Sequence, residues 1–235
     1  MSDKRCRIRP RGAGPFLVVD LYNALLGAFG PQEWWPADGP FEVMVGAILT
    51  QNTAWTNVEP AVAALKEKGL LTPRALAGAP LAEIETAIRS SGYYRQKAGR
   101  LRELSAWLLS EWGGDLRLTF QEPTLRLRTK LLAINGIGPE TADSILLYAA
   151  GKPVFVIDAY TVRILGRVGL TEHTDYGCLQ RLFERNLPLD IDIYREYHAL
   201  LVLLGKDFCR RRPEKSNCCA CPVGSRCETG LLAAV

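Results

Sequence analysis

Apolar residues at helical spacing recur along almost the whole chain, and this pattern constrains the fold more than any other feature. Leu101, Leu104 and Leu108, for example, fall on one face of a helix. The run from Phe41 to Leu49 is apolar nearly all round, which predicts a buried central helix. Val154–Ile157 is the one convincing strand-like run, but it is short and has no obvious partner, so we interpret it as an extended link. The sequence therefore predicts an all-α fold with about ten helices.

Composition limits the class of protein. The 235 residues are 48% hydrophobic and 23% charged, which argues against disorder, collagen and coiled coil. No apolar run approaches the ~18 residues that cross a bilayer, and the basic N-terminus lacks the features of a secretory signal. We expect a cytoplasmic, nucleoid-associated protein without a membrane partner, and a monomer by default. The expected organisation is a flexible basic tail at 1–14, a helical domain at 37–150, and a second helical domain formed by 15–36 together with 151–235.

Positive charge is unevenly distributed. The chain has 29 basic and 25 acidic side chains, a net charge of +4. Residues 1–12 contribute the whole excess, since they contain five basic residues and one acidic residue. Two further groups of basic residues, at 126–130 and 206–226, favour a nucleic-acid partner more than the overall charge does.

Residues 125–150 predict two helices joined by a tight glycine turn. An apolar helix ends at Asn135, Gly136 and Gly138 flank Ile137, and Pro139 opens the next helix. Glycines leave backbone N–H groups uncovered, and these lie beside a helix N-terminus, which suits a phosphate oxygen. Such a turn contacts a nucleic-acid backbone without selecting a sequence. The alternative is a capping turn between two packed helices.

Asp158 is the candidate catalytic carboxylate. It follows the extended link and precedes a helix, so its simplest role is an N-cap. Its position twenty residues beyond the hairpin favours a second role. A carboxylate there would stabilise positive charge on a sugar or orient a water molecule.

Five of the seven cysteines lie within residues 209–227. Cys209, Cys218, Cys221 and Cys227 have the spacing C-x8-C-x2-C-x5-C, which favours a [4Fe–4S] cluster. Zinc remains the alternative, although zinc ribbons usually have two close pairs of cysteines and this chain has one. Cys219 is an alternative ligand with a poorer spacing.

The hairpin, the Pro-Gly loop and the aspartate together resemble the helix-hairpin-helix superfamily of DNA glycosylases, which includes the endonuclease III-like proteins. The resemblance covers roughly residues 16–228. It implies a two-lobed helical fold with a C-terminal iron–sulfur loop and double-stranded DNA with a damaged base as partner. It also implies that Gln51 lies near the gap in the DNA and that Tyr93 is the wedge residue. Endonuclease III-like proteins have six residues in the first cysteine gap, whereas this chain has eight.

The residue at position 140 indicates whether the chain has lyase activity. Members with lyase activity have a lysine two residues after the second glycine, which forms a Schiff base with the sugar. This chain has Glu140 there, and a carboxylate cannot form a Schiff base. We therefore expect a monofunctional glycosylase, with Glu140 in the first turn of the helix that contacts DNA.

An aromatic segment bears on the substrate. Trp34, Trp35 and Pro36 precede Phe41, and this arrangement resembles the branch of type III 3-methyladenine DNA glycosylases. That resemblance places these four residues and Lys206 at the pocket for the flipped base. Aromatic faces attract a cationic, alkylated base by about 0.5–2 kcal/mol. The alternative is a hydrophobic plug over the core.

The sequence thus predicts a glycosylase of base-excision repair that releases 3-methyladenine or 7-methylguanine. Two alternatives stay open. One is a glycosylase for uracil or thymine mismatched with guanine, or for another damaged pyrimidine. The other is a helix-hairpin-helix protein that binds DNA without catalysis.

Overall fold

The computed structural model describes residues 17–227, and within this range it contains α-helices, short 3₁₀ and π segments, and no strand. The all-α prediction is therefore confirmed for the described residues, none of whose helices is long and apolar enough to cross a membrane. The predicted basic tail at 1–14 lies outside them. The α-helices are α1 (Val18–Phe29), α2 (Pro40–Leu49), α3 (Trp55–Glu67), α4 (Pro73–Gly78), α5 (Leu81–Ala87), α6 (Tyr94–Trp112), α7 (Leu116–Gln121), α8 (Thr124–Leu132), α9 (Pro139–Ser144), α10 (Ala159–Arg167), α11 (Tyr176–Asn186) and α12 (Ile191–Leu203).

Shorter segments extend or connect these helices. The π segment Ile145–Ala149 continues α9, and the π segment Leu204–Phe208 continues α12. The 3₁₀ segments are Arg89–Ser91, Pro213–Lys215 and Gly224–Arg226.

The chain divides into two compact units, and Trp35–Lys152 forms one of them. Its centre is α2, in which every residue after Pro40 is buried, as the apolar run predicted. This helix contacts α3, α6, α9 and the π segment that follows α9. The buried Glu42 is neutralised locally, because its carboxylate accepts a hydrogen bond from the Asp38 N–H at 3.0 Å and lies 2.8 Å from Lys66 Nζ.

The other unit consists of the described parts of Met1–Trp34 and Pro153–Val235. Its core is aromatic. Phe155 stacks on Phe183 with 3.9 Å between ring centroids, and Tyr194 and Tyr197 meet Phe155 edge-on. The Tyr197 hydroxyl donates to the Val18 carbonyl at 2.7 Å, which joins α12 to the start of α1.

The extended link at 154–157 has all four side chains buried, yet it pairs with no strand. Side chains of α11 satisfy its backbone instead. The Phe155 N–H donates to Glu184 Oε1 at 3.1 Å, and Gln180 Nε2 donates to the Phe155 carbonyl at 2.8 Å. Buried backbone groups need such partners, and the link therefore leads to Asp158 in a fixed conformation.

Candidate active site and DNA-binding elements

The glycine turn lies between α8 and α9, as predicted. Gly136 has φ +81°, and a Cβ at this position would overlap the side chain of Arg100. Gly138 caps α9 with an extended φ of −90°, and no atom lies within 4 Å of where its Cβ would be. Ile137 between them is buried. The left-handed backbone therefore favours glycine at position 136, whereas neither φ nor packing requires it at position 138, where a missing side chain leaves the backbone open to a ligand.

A bidentate ion pair holds the two helices of the hairpin together. Arg128 of α8 donates from Nε and Nη2 to the two oxygens of the fully buried Asp143 of α9, at 2.6 and 2.9 Å. Lys130 lies 2.6 Å from Glu111, and Arg126 is paired with Glu122. The basic group at 126–130 thus forms ion pairs within the protein, which its position in the sequence did not indicate.

Gln51 lies against the hairpin. Its Nε2 donates to the Gly136 carbonyl at 3.0 Å and to Thr141 Oγ1 at 2.9 Å, while its Oε1 accepts a hydrogen bond from Arg100. The residue expected near the DNA gap is therefore hydrogen-bonded at the base of the turn.

Tyr93 and Glu140 are both at the surface. Tyr93 is 66% exposed and precedes α6 with a left-handed φ of +47°, a conformation that is uncommon for a bulky residue. Glu140 is exposed in the first turn of α9. A carboxylate near a helix N-terminus is favourable, so Glu140 fits its local position without any catalytic role.

Asp158 is the N-cap of α10 and is 9% exposed. Its Oδ1 accepts hydrogen bonds from the Thr161 N–H and hydroxyl, both at 2.7 Å. Its Oδ2 lies 3.8 Å from Nε2 of the buried His198. The predicted cap is therefore present, and it directs the carboxylate by binding one oxygen twice.

His198 is a neighbour of Asp158 that the sequence did not reveal, because nothing in its local sequence points to the carboxylate. Burial lowers the pKa of His198 below 6.5, and the charge of Asp158 opposes this. At neutral pH His198 is therefore mainly uncharged, and it does not place a positive charge beside the carboxylate of Asp158.

The residues of the predicted base pocket belong to both units. Trp34 and Lys206 are in one unit, and Trp35, Pro36 and Phe41 are in the other. Trp34 and Trp35 are partly buried, Phe41 is buried, and Pro36 and Lys206 are exposed.

Trp35 is packed within its own unit. Its ring centroid lies 5.3 Å from those of Trp55 and Tyr148. A Cβ at Gly46 would come within 3.1 Å of the Trp35 ring, so the glycine makes room for it. Trp55 and Tyr148 were not predicted as part of an aromatic cluster, because nothing in their local sequence points to Trp35.

The four predicted cysteine ligands line one cavity, together with Arg167, Phe208, Ser216 and Gly224. The exposed Cys219 is not among the lining residues. Gly224 is required there, since a Cβ would lie 2.6 Å from the Cys218 carbonyl oxygen. Within the described residues, no group of three or more His, Cys, Asp or Glu forms a site for a single metal ion.

The electrostatics of the cysteine cavity are mixed. Burial raises the pKa of the Cys218 and Cys221 thiols, and neighbouring cysteines add to this effect. Arg167 opposes it at Cys218, and its Nη1 donates to Cys209 Sγ at 3.2 Å. Four thiols that line one cavity beside a cation fit a cluster with thiolate ligands, because the arginine would offset part of their negative charge.

Comparisons with known proteins agree with this architecture. Residues 45–189 match the family model described as "HhH-GPD superfamily base excision DNA repair protein". A Methanocaldococcus jannaschii protein, named as a candidate DNA repair glycosylase, is 43% identical over 90% of this chain and 96% of its own. Endonuclease III of Thermotoga maritima is 30% identical, over 80% of this chain and 83% of its own.

Among solved structures, the H. pylori 3-methyladenine DNA glycosylase MagIII, bound to 1,N6-ethenoadenine, superposes with a TM-score of 0.73. It is 28% identical, and the match covers 80% of this chain and 97% of that one. The resemblance drawn from the hairpin and Asp158 is confirmed: the chain belongs to the HhH-GPD superfamily of base excision DNA repair proteins and is a DNA glycosylase.

Proposed function

We propose that this glycosylase is monofunctional and hydrolyses the N-glycosidic bond of a flipped, alkylated purine, 3-methyladenine or 7-methylguanine. The observation that carries the proposal is the carboxylate of Asp158, buried and fixed through one oxygen by Thr161. Alkylation at N3 or N7 makes the base cationic, so it leaves as a neutral molecule and needs little help from an acid.

Asp158 would act on the sugar. As the bond from C1′ to the base breaks, positive charge develops on the sugar ring, and the nearby carboxylate stabilises it. A water molecule then adds to C1′ and releases a proton, leaving the free base and an abasic site. Oδ2 is the oxygen that would take this role, because Oδ1 already accepts two hydrogen bonds.

The absence of lyase chemistry rests on Glu140, at the position of the family's lysine. The DNA contact rests on the open backbone at Gly138, where a phosphate oxygen would accept hydrogen bonds from N–H groups at the start of α9. Tyr93 would enter the duplex as the wedge, and extruding the base costs a few kcal/mol.

The experiment that tests the substrate is base release from two DNAs, one methylated and one with uracil or thymine opposite guanine. Methylpurine release, with strand breaks only after alkali, is the expected result. Release only from the mismatched duplex would leave the proposed role of Asp158 intact but would change the substrate to a mismatched pyrimidine. Binding without release of any base would favour the non-catalytic alternative.

Two substitutions at Asp158 distinguish the role of its negative charge in catalysis from its role as the N-cap of α10. Asparagine is also a good N-cap, so Asp158→Asn should keep the bonds to Thr161 and remove most turnover. Asp158→Ala should lose turnover and also about 1 kcal/mol of unfolding free energy. Near-normal turnover in Asp158→Asn would show that Asp158 is only a cap.

We further propose that Cys209, Cys218, Cys221 and Cys227 hold a [4Fe–4S] cluster whose role is structural, since hydrolysis needs no redox step. Bound there, the cluster would fix the basic loop at 210–215 for contact with phosphates. Iron and sulfide analysis of the purified protein, with its visible absorption, tests this. Stoichiometric zinc without iron would assign the site to zinc instead.

A further inference from the structure

Lys97 is a buried lysine that the proposed chemistry does not use. It lies in the first turns of α6 and is 1% exposed. Its Nζ donates to the carbonyls of Leu49 and Ser91, at 2.8 and 2.7 Å, and to Thr53 Oγ1 at 2.7 Å. An ammonium group has three donors, and each has an acceptor here. Burying a charge is costly without such complete hydrogen bonding.

The three acceptors come from three separate segments. Leu49 is the last residue of α2, Thr53 lies in the turn that follows Gln51, and Ser91 ends the 3₁₀ segment that leads to Tyr93. The Thr53 hydroxyl also donates to the Ser91 carbonyl at 2.6 Å. Lys97 and Thr53 thus tie the turn after α2 to the loop that carries the proposed wedge.

Both tied segments contain a strained residue. Asn52 has φ +54° and Tyr93 has φ +47°. Left-handed conformations of residues other than glycine persist only where the surroundings enforce them. The Tyr93 side chain is mostly exposed, so side-chain packing contributes little. The backbone holds it instead: Ser91 is bound two residues before it, and the Lys97 N–H donates to the Tyr93 carbonyl at 3.1 Å.

We propose that Lys97 is a positioning residue that holds Tyr93 in the geometry with which it enters a DNA duplex. This rests on the proposed function, because it assumes that Tyr93 is the wedge. Burial, and to a lesser degree the charge of Arg100, lowers the pKa of Lys97 to about 8. At neutral pH the ammonium form, with all three donors, is still the main one.

The test measures base extrusion with 2-aminopurine in place of the target base, since its fluorescence rises on unstacking. We compare the wild type, Lys97→Met, Tyr93→Ala and the double variant. Lys97→Met is expected to reduce extrusion about tenfold while changing the Kd for undamaged duplex less than about twofold. In the Tyr93→Ala background the same substitution is expected to have no further effect, because residues that act as one unit are not additive.

A matched control lies on the same helix. Ser105 of α6 is fully buried and donates to the Leu101 carbonyl at 2.7 Å, so Ser105→Ala also removes a buried donor but leaves the wedge loop intact. It is expected to keep wild-type extrusion. If Lys97→Met does not fold, Thr53→Val replaces it, since this variant removes the bond to Ser91 and one acceptor of Lys97. A smaller loss in the same direction is then expected.

The outcomes separate this inference from the proposed function. Normal extrusion by Lys97→Met or Thr53→Val, or losses that simply add to that of Tyr93→Ala, would overturn the role of Lys97 alone. A wild type that binds duplex but extrudes no base would overturn both.

Discussion

The two glycines of the hairpin have different structural requirements, and this makes a sharp prediction. Gly138→Ala places a methyl group where no atom lies within 4 Å and where φ is −90°. Alanine tolerates this conformation, and replacing glycine restricts the unfolded chain. This would raise the free energy of unfolding by about 0.4–1 kcal/mol, but glycine is a better N-cap than alanine, so the two effects should largely cancel.

Gly136→Ala should clearly lower the free energy of unfolding. A left-handed conformation at φ +81° costs alanine about 1–2 kcal/mol, and its methyl group would displace the side chain of Arg100. Arg100 donates to Gln51, and a hydrogen bond from a charged group is worth about 1.5–3 kcal/mol. We expect a loss of about 2.5 kcal/mol in the free energy of unfolding, the sum of the two lower values.

For DNA binding, we expect the substitution at Gly138 to be the informative one. If a phosphate approaches the backbone at Gly138, the methyl group of Gly138→Ala blocks it in a protein whose stability is close to that of the wild type. We expect Kd for duplex DNA to rise about tenfold, while the slope of log K against log salt stays nearly unchanged because backbone N–H groups carry no net charge. Urea unfolding and fluorescence anisotropy at several salt concentrations measure the two quantities. A stable Gly138→Ala with unchanged Kd would show that the turn only caps α9.

Three other predictions concern single contacts. Arg128→Met removes the bidentate partner of buried Asp143 and should lower the free energy of unfolding, measured by urea unfolding, by about 3 kcal/mol. If adding Asp143→Asn restores part of this stability, the loss comes from the unpaired charge of Asp143. Because the pKa of folded His198 is below 6.5, the unfolded chain binds the proton more readily, and stability should fall as the pH drops below 6.5. His198→Gln should lack this part of the decline, and an identical decline in both proteins would exclude His198 as its source. Trp35→Ala should lose roughly 3 kcal/mol of stability, whereas Trp34→Ala should mainly reduce methylpurine release in the base-release assay; equal loss on every DNA would assign Trp34 to packing.

Features that depend on neighbouring residues were predictable from the sequence. The glycine turn, the cap at Asp158 and the buried helix at Phe41–Leu49 all follow from local patterns, and the structure contains each of them. The extended link was also predicted, although the side chains of α11 that satisfy its backbone were not.

Contacts between distant residues were not predictable in the same way. Gln51 and Gly136 are 85 positions apart, and Lys97 and Leu49 are 48 apart. Helical periodicity shows which face of a helix is buried but not which residue it meets. For the same reason the positive charges at 126–130 favoured DNA in the sequence, while their acidic partners come from α6, α9 and the residue after α7.

Helix α10 links the proposed catalytic residue to the cysteine loop. Asp158 caps its start, and Arg163 and Arg167 donate to the backbone of Cys209 and Arg210 at 2.9 and 2.8 Å. A nine-residue helix is about 13.5 Å long and moves as one body, so a displacement of the cysteine loop would tilt the carboxylate. The cysteine loop therefore helps to orient the proposed catalytic carboxylate, and disruption of this loop should abolish hydrolysis while the DNA contact proposed at the glycine turn remains.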